Sequence, residues 1–341
     1  MLGPSYSLRC VVFHHISADD SPFTAGINVR TTPEKLESAL RFLAAYYKPV
    51  RLEDVLEEDG RRLPPRAVLV TFDDAYASVL EVAAPLCLKY GIPAVFFVNA
   101  AFLNNKRMAP DNLVCFVANT KGMGTVNAAV RTLGRPEFSE LHSLSEVFSR
   151  FFPSITLAER EAFLEALRRL AGVSEGHLAE ESALYLTTEQ LRSLASFDFE
   201  IGNHTFSHVH CRRLSGEDFS QEIDRNKTEL EEISGTKVRS FSLPYGSSKD
   251  MTVELASRLN RSGHEAIFFS ESVANLHGAD LSHLDRVNPN VRGEDSFFLD
   301  LEVMPRLRVV RNRLFHPQTA MQGAAGKANQ TEASNRSQLR G

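Results

Sequence analysis

Short apolar runs alternate with amphipathic stretches along most of the chain. Runs typical of buried strands lie at residues 8–13, 67–72, 94–98, 199–202, 239–243 and 266–269. Helical periodicity recurs between them, at residues 79–90, 217–233 and 253–261, and a glycine follows each of these stretches within two residues. Repeated strand–helix units predict a parallel sheet with right-handed crossovers. Their number favours a closed or nearly closed α/β barrel, in which polar groups at the strand ends share one face.

Residues 104–186 interrupt this alternation. Thr156 and Glu159 have the spacing of a capping box at a helix start. The apolar stripe behind it consists of Phe163, Leu164, Leu167 and Leu170. We predict that this segment is a mostly helical insertion. It lies over or beside the active face, or it is a structural brace that does not contact substrate. From about residue 316 the chain has few large apolar residues, which predicts one domain at 1–315 and a disordered tail at 316–341.

The composition narrows the classes of function. The 341 residues are 43% hydrophobic, and a net charge of −5 without a long Lys/Arg block argues against a nucleic-acid surface. No apolar stretch approaches the ~20 residues of a membrane span, and residues 1–9 lack the pattern of a secretory signal. The four cysteines have no paired spacing, as is typical of thiols in a reducing compartment. We therefore predict a cytoplasmic protein without a transmembrane segment.

Two polar motifs follow predicted strands. Val-Thr-Phe-Asp-Asp at 70–74 ends a strand in two acids, and His-Thr-Phe-Ser-His at 204–208 places two imidazoles four residues apart. An Asp pair alone is more often a turn or a helix cap, and two exposed histidines are common. The occurrence of both motifs at strand ends instead indicates that they share one cleft. Three N/O ligands with a fourth position open to water are the arrangement of a hydrolytic zinc centre. The pattern predicts a metal site with a free carboxylate beside it.

Three motifs together resemble those of the polysaccharide deacetylases of the NodB-homology type, carbohydrate esterase family 4. Thr-Phe-Asp-Asp at 71–74 is similar to the first family motif, and His-Thr-Phe-Ser-His at 204–208 is similar to the second. Ser-Leu-Pro-Tyr-Gly at 242–246 resembles the third, which ends Pro-Tyr-Gly. Their order and spacing agree, and the resemblance runs from about residue 10 to about residue 291.

The resemblance implies a distorted (β/α)7 barrel that removes an acetyl group from an N-acetylated sugar. It implies that a divalent metal, usually zinc, is bound by Asp74, His204 and His208. Asp73 would then be the general base that deprotonates a metal-bound water.

The third motif carries further implied roles. The backbone N–H of Tyr245 would stabilise the oxyanion, with Pro244 and Gly246 shaping its loop. We place Pro244 and Arg286 on the substrate-binding side.

The chain departs from the family pattern at three points. Ala75 follows the Asp pair where many members have Gly, and Ser242 stands where many have an Arg directed at the catalytic Asp. Arg286 is our candidate to replace that cation. No clear Leu-His-Asp motif supplies the general acid, so we take His14 as the best replacement and His277 as a weaker one. His15, His210 and His283 have no motif support and receive no role.

The leading hypothesis is a metal-dependent deacetylase acting on an N-acetylated saccharide, such as a nucleotide- or lipid-linked precursor in polysaccharide assembly. A second hypothesis is a metal-dependent hydrolase that acts on a different acyl group, because related barrels hydrolyse other C–N bonds, including formyl amides. A third reading, a catalytically silent carbohydrate-binding protein, is disfavoured by the intact Asp73, Asp74, His204 and His208.

Overall fold

The computed structural model describes residues 8–57, 63–275, 280–289 and 294–315. His277 and the tail predicted from residue 316 lie outside the described residues. The main sheet contains seven strands of a barrel and one short additional strand, and a separate two-stranded sheet lies beside it. In chain order the strands are β1 (Arg9–Phe13), β2 (His15–Ile16), β3 (Arg30–Thr31), β4 (Lys48–Pro49), β5 (Ala67–Phe72), β6 (Ala94–Val98), β7 (Glu200–Asn203), β8 (Ser240–Ser242), β9 (Ala266–Phe269) and β10 (Leu284–Asp285).

The seven barrel strands are parallel and follow the order β1-β5-β6-β7-β8-β9-β10, while β4 pairs with the beginning of β5. The ring closes between its first and last strands. Val12 N–H donates to Val287 O at 3.0 Å, and Val287 N–H donates to Cys10 O at 2.9 Å. The predicted barrel of seven strands is therefore confirmed. The closing strand β10 is only two residues long, which is why the apolar pattern did not reveal it.

Each barrel strand is buried on both faces because helices cover its outside and side chains fill its inside. Along β5, Val68, Val70 and Phe72 pack outward in the cluster that includes helix residues. Ala67 and Leu69 pack in a second cluster with residues of β6 and β9. Alternation continues this second face through Thr71 towards Asp73, so Asp73 lies at the mouth of the barrel interior.

Helices connect most of the strands. Among the described residues, three helices are directly preceded by wider π turns, at Val79–Ala83, Ser220–Asp224 and Leu299–Val303. The helices are α1 (Pro33–Tyr46), α2 (Leu52–Glu57), α3 (Ala84–Tyr90), α4 (Pro110–Lys121), α5 (Met123–Arg131), α6 (Leu144–Glu146), α7 (Leu157–Ala171), α8 (Glu175–Ser182), α9 (Thr188–Ser196), α10 (Gly216–Phe219), α11 (Arg225–Ser234), α12 (Val253–Arg261), α13 (Glu294–Phe298) and α14 (Met304–Phe315). Within the described residues, no helix is both long and apolar enough to cross a membrane.

The connection between β6 and β7 is mostly helical, as predicted, and helices α4 to α8 share a hydrophobic core of their own. Thr156 and Glu159 form the capping box at the start of α7. Three residues of the predicted apolar stripe are buried, but Leu170 is 46% exposed, so the stripe is narrower than expected. The last helix of this connection, α9, packs with the barrel core through Leu191 and Leu194.

Candidate active site

The Asp pair lies in the turn that follows β5. Asp74 and Ala75 both have left-handed backbones, with φ of 73° and 55°. A non-glycine residue there costs on the order of 1 kcal/mol or more, and such strain concentrates at functional sites. Ala75 thus adopts the conformation for which Gly is best suited. The turn directs both carboxylates into one cavity.

The two motif histidines follow β7 in a loop that is held from several sides. Asn99 Nδ2 donates to the carbonyls of His204 and Thr205, at 2.5 and 2.9 Å. Glu222 accepts from the N–H and hydroxyl of Ser207 at 2.8 and 2.7 Å. Buried partners on this loop fix the direction in which the imidazoles point.

The structure brings Asp74, His204 and His208 together, with one ligand atom of each within 4.8 Å of the others. Asp74 Oδ1 lies 3.3 Å from His204 Nε2 and 3.4 Å from His208 Nε2. The opposite ring nitrogens are bonded elsewhere, His204 Nδ1 to Ser242 O at 2.8 Å and His208 Nδ1 to Asp111 Oδ2 at 2.5 Å. Bonding at Nδ1 leaves each Nε2 free to bind a metal.

Asp74 Oδ1 is buried and has no hydrogen-bond partner among the described residues. A buried polar atom without a partner is costly, and a cation between the carboxylate and the two imidazoles would remove that cost. One carboxylate and two imidazoles, with room for water on the cavity side, fit a hydrolytic zinc site. The donor set therefore fits the implied metal.

The charges around this cluster favour ionised Asp74. Burial opposes its ionisation, but His208, His204 and His14 outweigh burial and hold the pKa of Asp74 well below its usual range. Burial likewise would lower the pKa of His208, yet the Asp111 and Asp74 carboxylates raise it to about 9. A cation binding here would take the place of the proton on His208.

Asp73 is 3% exposed and forms a two-pronged ion pair with Arg286. Nη1 and Nη2 of Arg286 each donate to one Asp73 oxygen at 2.7 Å, and Ser242 Oγ lies 3.4 Å from Asp73 Oδ2. Burial opposes ionisation of Asp73, but Arg286 and His204 more than offset it and lower the pKa of Asp73. Arg286 therefore provides the cation that Ser242 cannot.

Arg286 lies away from the substrate side on which the sequence analysis placed it. Its side chain is fully buried, and its guanidinium also donates to the hydroxyls of Thr71 and Ser270. Arg286 is not one of the described residues that line the cavity. Pro244 is also buried and off the cavity lining, at the start of the turn that carries Tyr245. Both residues shape the site from behind.

A cavity of about 280 Å³ opens beside the Asp and His cluster. His14, Tyr245 and Gly246 line it together with Asp73 and Asp74. Burial lowers the pKa of His14, although Asp74 and Asp73 pull it the other way. His14 thus faces the cavity and favours its neutral form in the metal-free protein.

The third motif forms a strained turn. Tyr245 has φ of 63° and Gly246 has φ of 65°. A Cβ on Gly246 would lie 2.4 Å from Ser270 Cβ, so this position requires glycine. The turn brings the Tyr245 ring within 4.8 Å of the His208 ring.

Asp111 was missed by the sequence analysis. It belongs to α4 of the insertion, and its carboxylate bonds both His208 Nδ1 and the Tyr245 hydroxyl, at 2.5 and 2.8 Å. In the sequence it is an acid in the first turn of a helix, where Asp is common for local reasons. Other insertion residues on the cavity lining are Ala109, Asn112 and Phe148. The insertion therefore lies over the site.

Residues 150–263 match the sequence model of a family described as polysaccharide deacetylase. This stretch includes both motif histidines and the Pro-Tyr-Gly turn, but not the Asp pair. A search of curated protein sequences gives no significant match.

Several solved structures share the fold. The Streptococcus pyogenes deacetylase PplD, in complex with acetate, is 15% identical with a TM-score of 0.58, covering 87% of this chain and 99% of that one. IcaB from Ammonifex degensii is 17% identical with a TM-score of 0.52, covering 85% and 94%. A de-N-acetylase from Aggregatibacter actinomycetemcomitans is 15% identical with a TM-score of 0.52, covering 84% and 96%.

At these identities the likeness establishes the fold. Over residues 150–263 the sequence is similar to the polysaccharide deacetylase family, and the whole barrel has the fold of the solved deacetylases, as the resemblance of the three motifs implied.

Proposed function

We propose that this protein is a metal-dependent hydrolase that removes the N-acetyl group from a sugar of a polysaccharide or glycan precursor. One observation carries the proposal. The unpartnered Oδ1 of Asp74 lies between two imidazole nitrogens, and Asp73 lies beside them without joining that set of three. The match of residues 150–263 to the polysaccharide deacetylase family model supports the reaction class.

Asp74, His204 and His208 would hold the metal, and a borderline cation such as Zn²⁺ best fits one carboxylate and two imidazoles. When bound, such a cation lowers the pKa of a water in its open position and withdraws charge from the acyl oxygen.

Asp73 is the proposed general base. His204 Nε2 lies 3.8 Å from Asp73 Oδ2, so the carboxylate is adjacent to the ligand set. Arg286 keeps it ionised and directs its oxygens, which a proton acceptor requires at neutral pH. Asp73 then takes the proton of the attacking water as the carbon–oxygen bond forms.

The Tyr245 backbone N–H is the proposed donor to the oxyanion. The left-handed turn at Tyr245 and Gly246 supports this role, because a fixed N–H stabilises developing charge without reorganising. His14 is the proposed proton donor to the amine that leaves as the C–N bond breaks. Because burial favours its neutral form, His14 would first take the proton that Asp73 removed from the water and then pass it to the amine. Its position on the cavity lining supports that assignment.

Asp111 is the proposed positioning residue of the site. It touches neither the cleaved bond nor the metal position, but it holds His208 and Tyr245 together through one carboxylate. Carboxylates behind ligating histidines fix the ring orientation and raise ligand basicity. The insertion therefore contributes to the chemistry as well as to the cover of the cavity.

The proposed location is the cytoplasm, and the four cysteines support a reducing compartment because all are buried and unpaired. A nucleotide- or lipid-linked N-acetylated saccharide is then the proposed substrate class.

The decisive experiment incubates the zinc-loaded protein with a panel of N-acetylated and N-formylated saccharides and identifies the acid released. We expect acetate, and we expect its release to be roughly 10²–10⁴-fold slower in Asp73→Asn, whose zinc content should equal that of the wild type. Formate alone would identify a deformylase. Zinc-loaded protein that binds saccharides and releases neither acid would establish a silent carbohydrate-binding protein.

A further inference from the structure

A second cluster of potential metal ligands lies outside the cavity. Glu271, His283 and Asp285 each offer one ligand atom, and these atoms lie within 4.8 Å of one another. Glu271 follows β9, while His283 and Asp285 lie at β10, the strand that closes the barrel. None of the three lines the cavity described above.

Asp285 provides independent support for a ligand at this cluster. Asp285 is 3% exposed, and its Oδ1 accepts a hydrogen bond from the Glu271 N–H at 2.9 Å. Its Oδ2 is buried without a hydrogen-bond partner among the described residues. A buried carboxylate oxygen requires a compensating charge or donor. This is the same signature that Asp74 shows at the first cluster.

The side chains of Glu271 and His283 are oriented by contacts that do not involve the atom available as a ligand. Glu271 Oε1 accepts from Ser248 N–H at 3.0 Å and from Ser248 Oγ at 2.7 Å, while Oε2 has no hydrogen bond from any described residue and can bind a cation. The His283 ring stacks on Phe269 with centroids 4.0 Å apart and planes 17° apart. His283 is exposed, so a cation can enter from solvent.

We propose that Glu271, His283 and Asp285 bind a second divalent cation, of the class that accepts one imidazole and two carboxylates, with Zn²⁺ as the best candidate. Bound there, the cation joins the turn after β9 to β10. Asp285 directly precedes Arg286, whose guanidinium is paired with the Asp73 carboxylate. By fixing Asp285, the cation also fixes the position of Arg286 beside the proposed base. The role is structural, and the proposal does not depend on the deacetylase assignment.

The test measures zinc per chain by equilibrium dialysis of chelator-stripped full-length protein, followed by elemental analysis. We expect two zinc ions in the wild type, one in His283→Ala and one in His208→Ala. Removing both histidines should leave none. His177→Ala is the matched control, because His177 is an exposed imidazole 3.7 Å from Glu181 outside both clusters, and it should retain two.

A wild type that binds one zinc, lost in His208→Ala and kept in His283→Ala, overturns the second site. So does a second zinc that persists in both His283→Ala and Glu271→Gln. Asp74→Asn can replace His208→Ala where folding fails, because it conserves the shape of the side chain. In either first-site variant zinc should raise the melting temperature, and adding His283→Ala should abolish that rise.

Discussion

The barrel carries two clusters of carboxylates and imidazoles, and they differ in how their histidines are held. At the cavity, His204 and His208 are largely buried, and each Nδ1 is bonded to a group that fixes the ring. At the closing strand, His283 is exposed, and its ring stacks on Phe269. Within the part of the chain that the structure describes, both clusters contain a buried carboxylate oxygen without a hydrogen-bond partner.

This difference agrees with the two proposed roles, turnover at the first cluster and support at the second. The first cluster faces a cavity of about 280 Å³, and the Asp73 carboxylate lies beside it outside the set of three ligands. Among the described residues, none of the second cluster lines that cavity, and the cluster lies between the ends of two strands. We therefore propose that similar ligand sets serve different purposes according to whether their open side faces the cavity.

The largest expected effect follows from Asp73→Asn. The substitution keeps the shape of the side chain and removes proton acceptance, so kcat should fall by roughly 10²–10⁴-fold. Zinc content should not change, since Asp73 is not among the three ligands. Steady-state kinetics with elemental analysis measures both. Wild-type turnover in this variant would exclude Asp73 as the base.

Arg286→Gln should give the next largest effect, because it leaves the Asp73 carboxylate buried without its cation. Removing one partner of a buried pair costs about 3–5 kcal/mol, which denaturant unfolding measures. Arg286 lowers the pKa of Asp73, so ionised Asp73, and with it activity, is lost only as pH falls through that lowered value.

Without Arg286 the pKa of Asp73 rises, and the acid limb of the pH–rate profile should move to higher pH. Arg286→Lys is the matched control, since it keeps the charge and loses the two-pronged geometry. It should shift the limb less than Arg286→Gln. An equal shift in both variants would contradict charge as the cause.

Asp111→Asn should weaken zinc binding at the cavity by about 10–100-fold, because the carboxylate that orients His208 is lost. Competition with a chromophoric chelator measures the affinity. Tyr245→Phe removes the other bond to Asp111 and leaves His208 bonded, so its affinity should stay near that of the wild type. Equal losses in both variants would assign Asp111 a general packing role.

The smallest effect is expected from His283→Ala. Zinc at about 100 times its Kd stabilises a folded protein by about 2.7 kcal/mol, which corresponds to a rise in melting temperature on the order of 5 °C. His283→Ala in the Asp74→Asn background should lose this rise, as calorimetry can measure. An undiminished rise would remove the contrast between the two clusters.

The sequence by itself predicted the barrel and the residues that the structure brings together at the cavity. Apolar runs that recur between helical stretches require a parallel sheet, and its polar strand ends meet at one face. Asp73, Asp74, His204 and His208 were therefore predictable, because each follows a recognisable strand within a short motif. Ser242 at the start of the third motif indicates that another residue must supply the usual arginine's charge, and Arg286 is the candidate that the sequence offers.

Only the tertiary structure decided which distant groups support these motifs. Asp111 is an ordinary acid at a helix start until α4 lies over the barrel mouth, 97 residues before His208 in the chain. Arg286 contacts Asp73 across 213 residues because β10 closes the ring next to β1, which pairs with β5. The periodicity of a sequence reflects the local requirements of each strand or helix. Contacts between residues far apart in the chain form only on folding and produce no periodic pattern in the sequence.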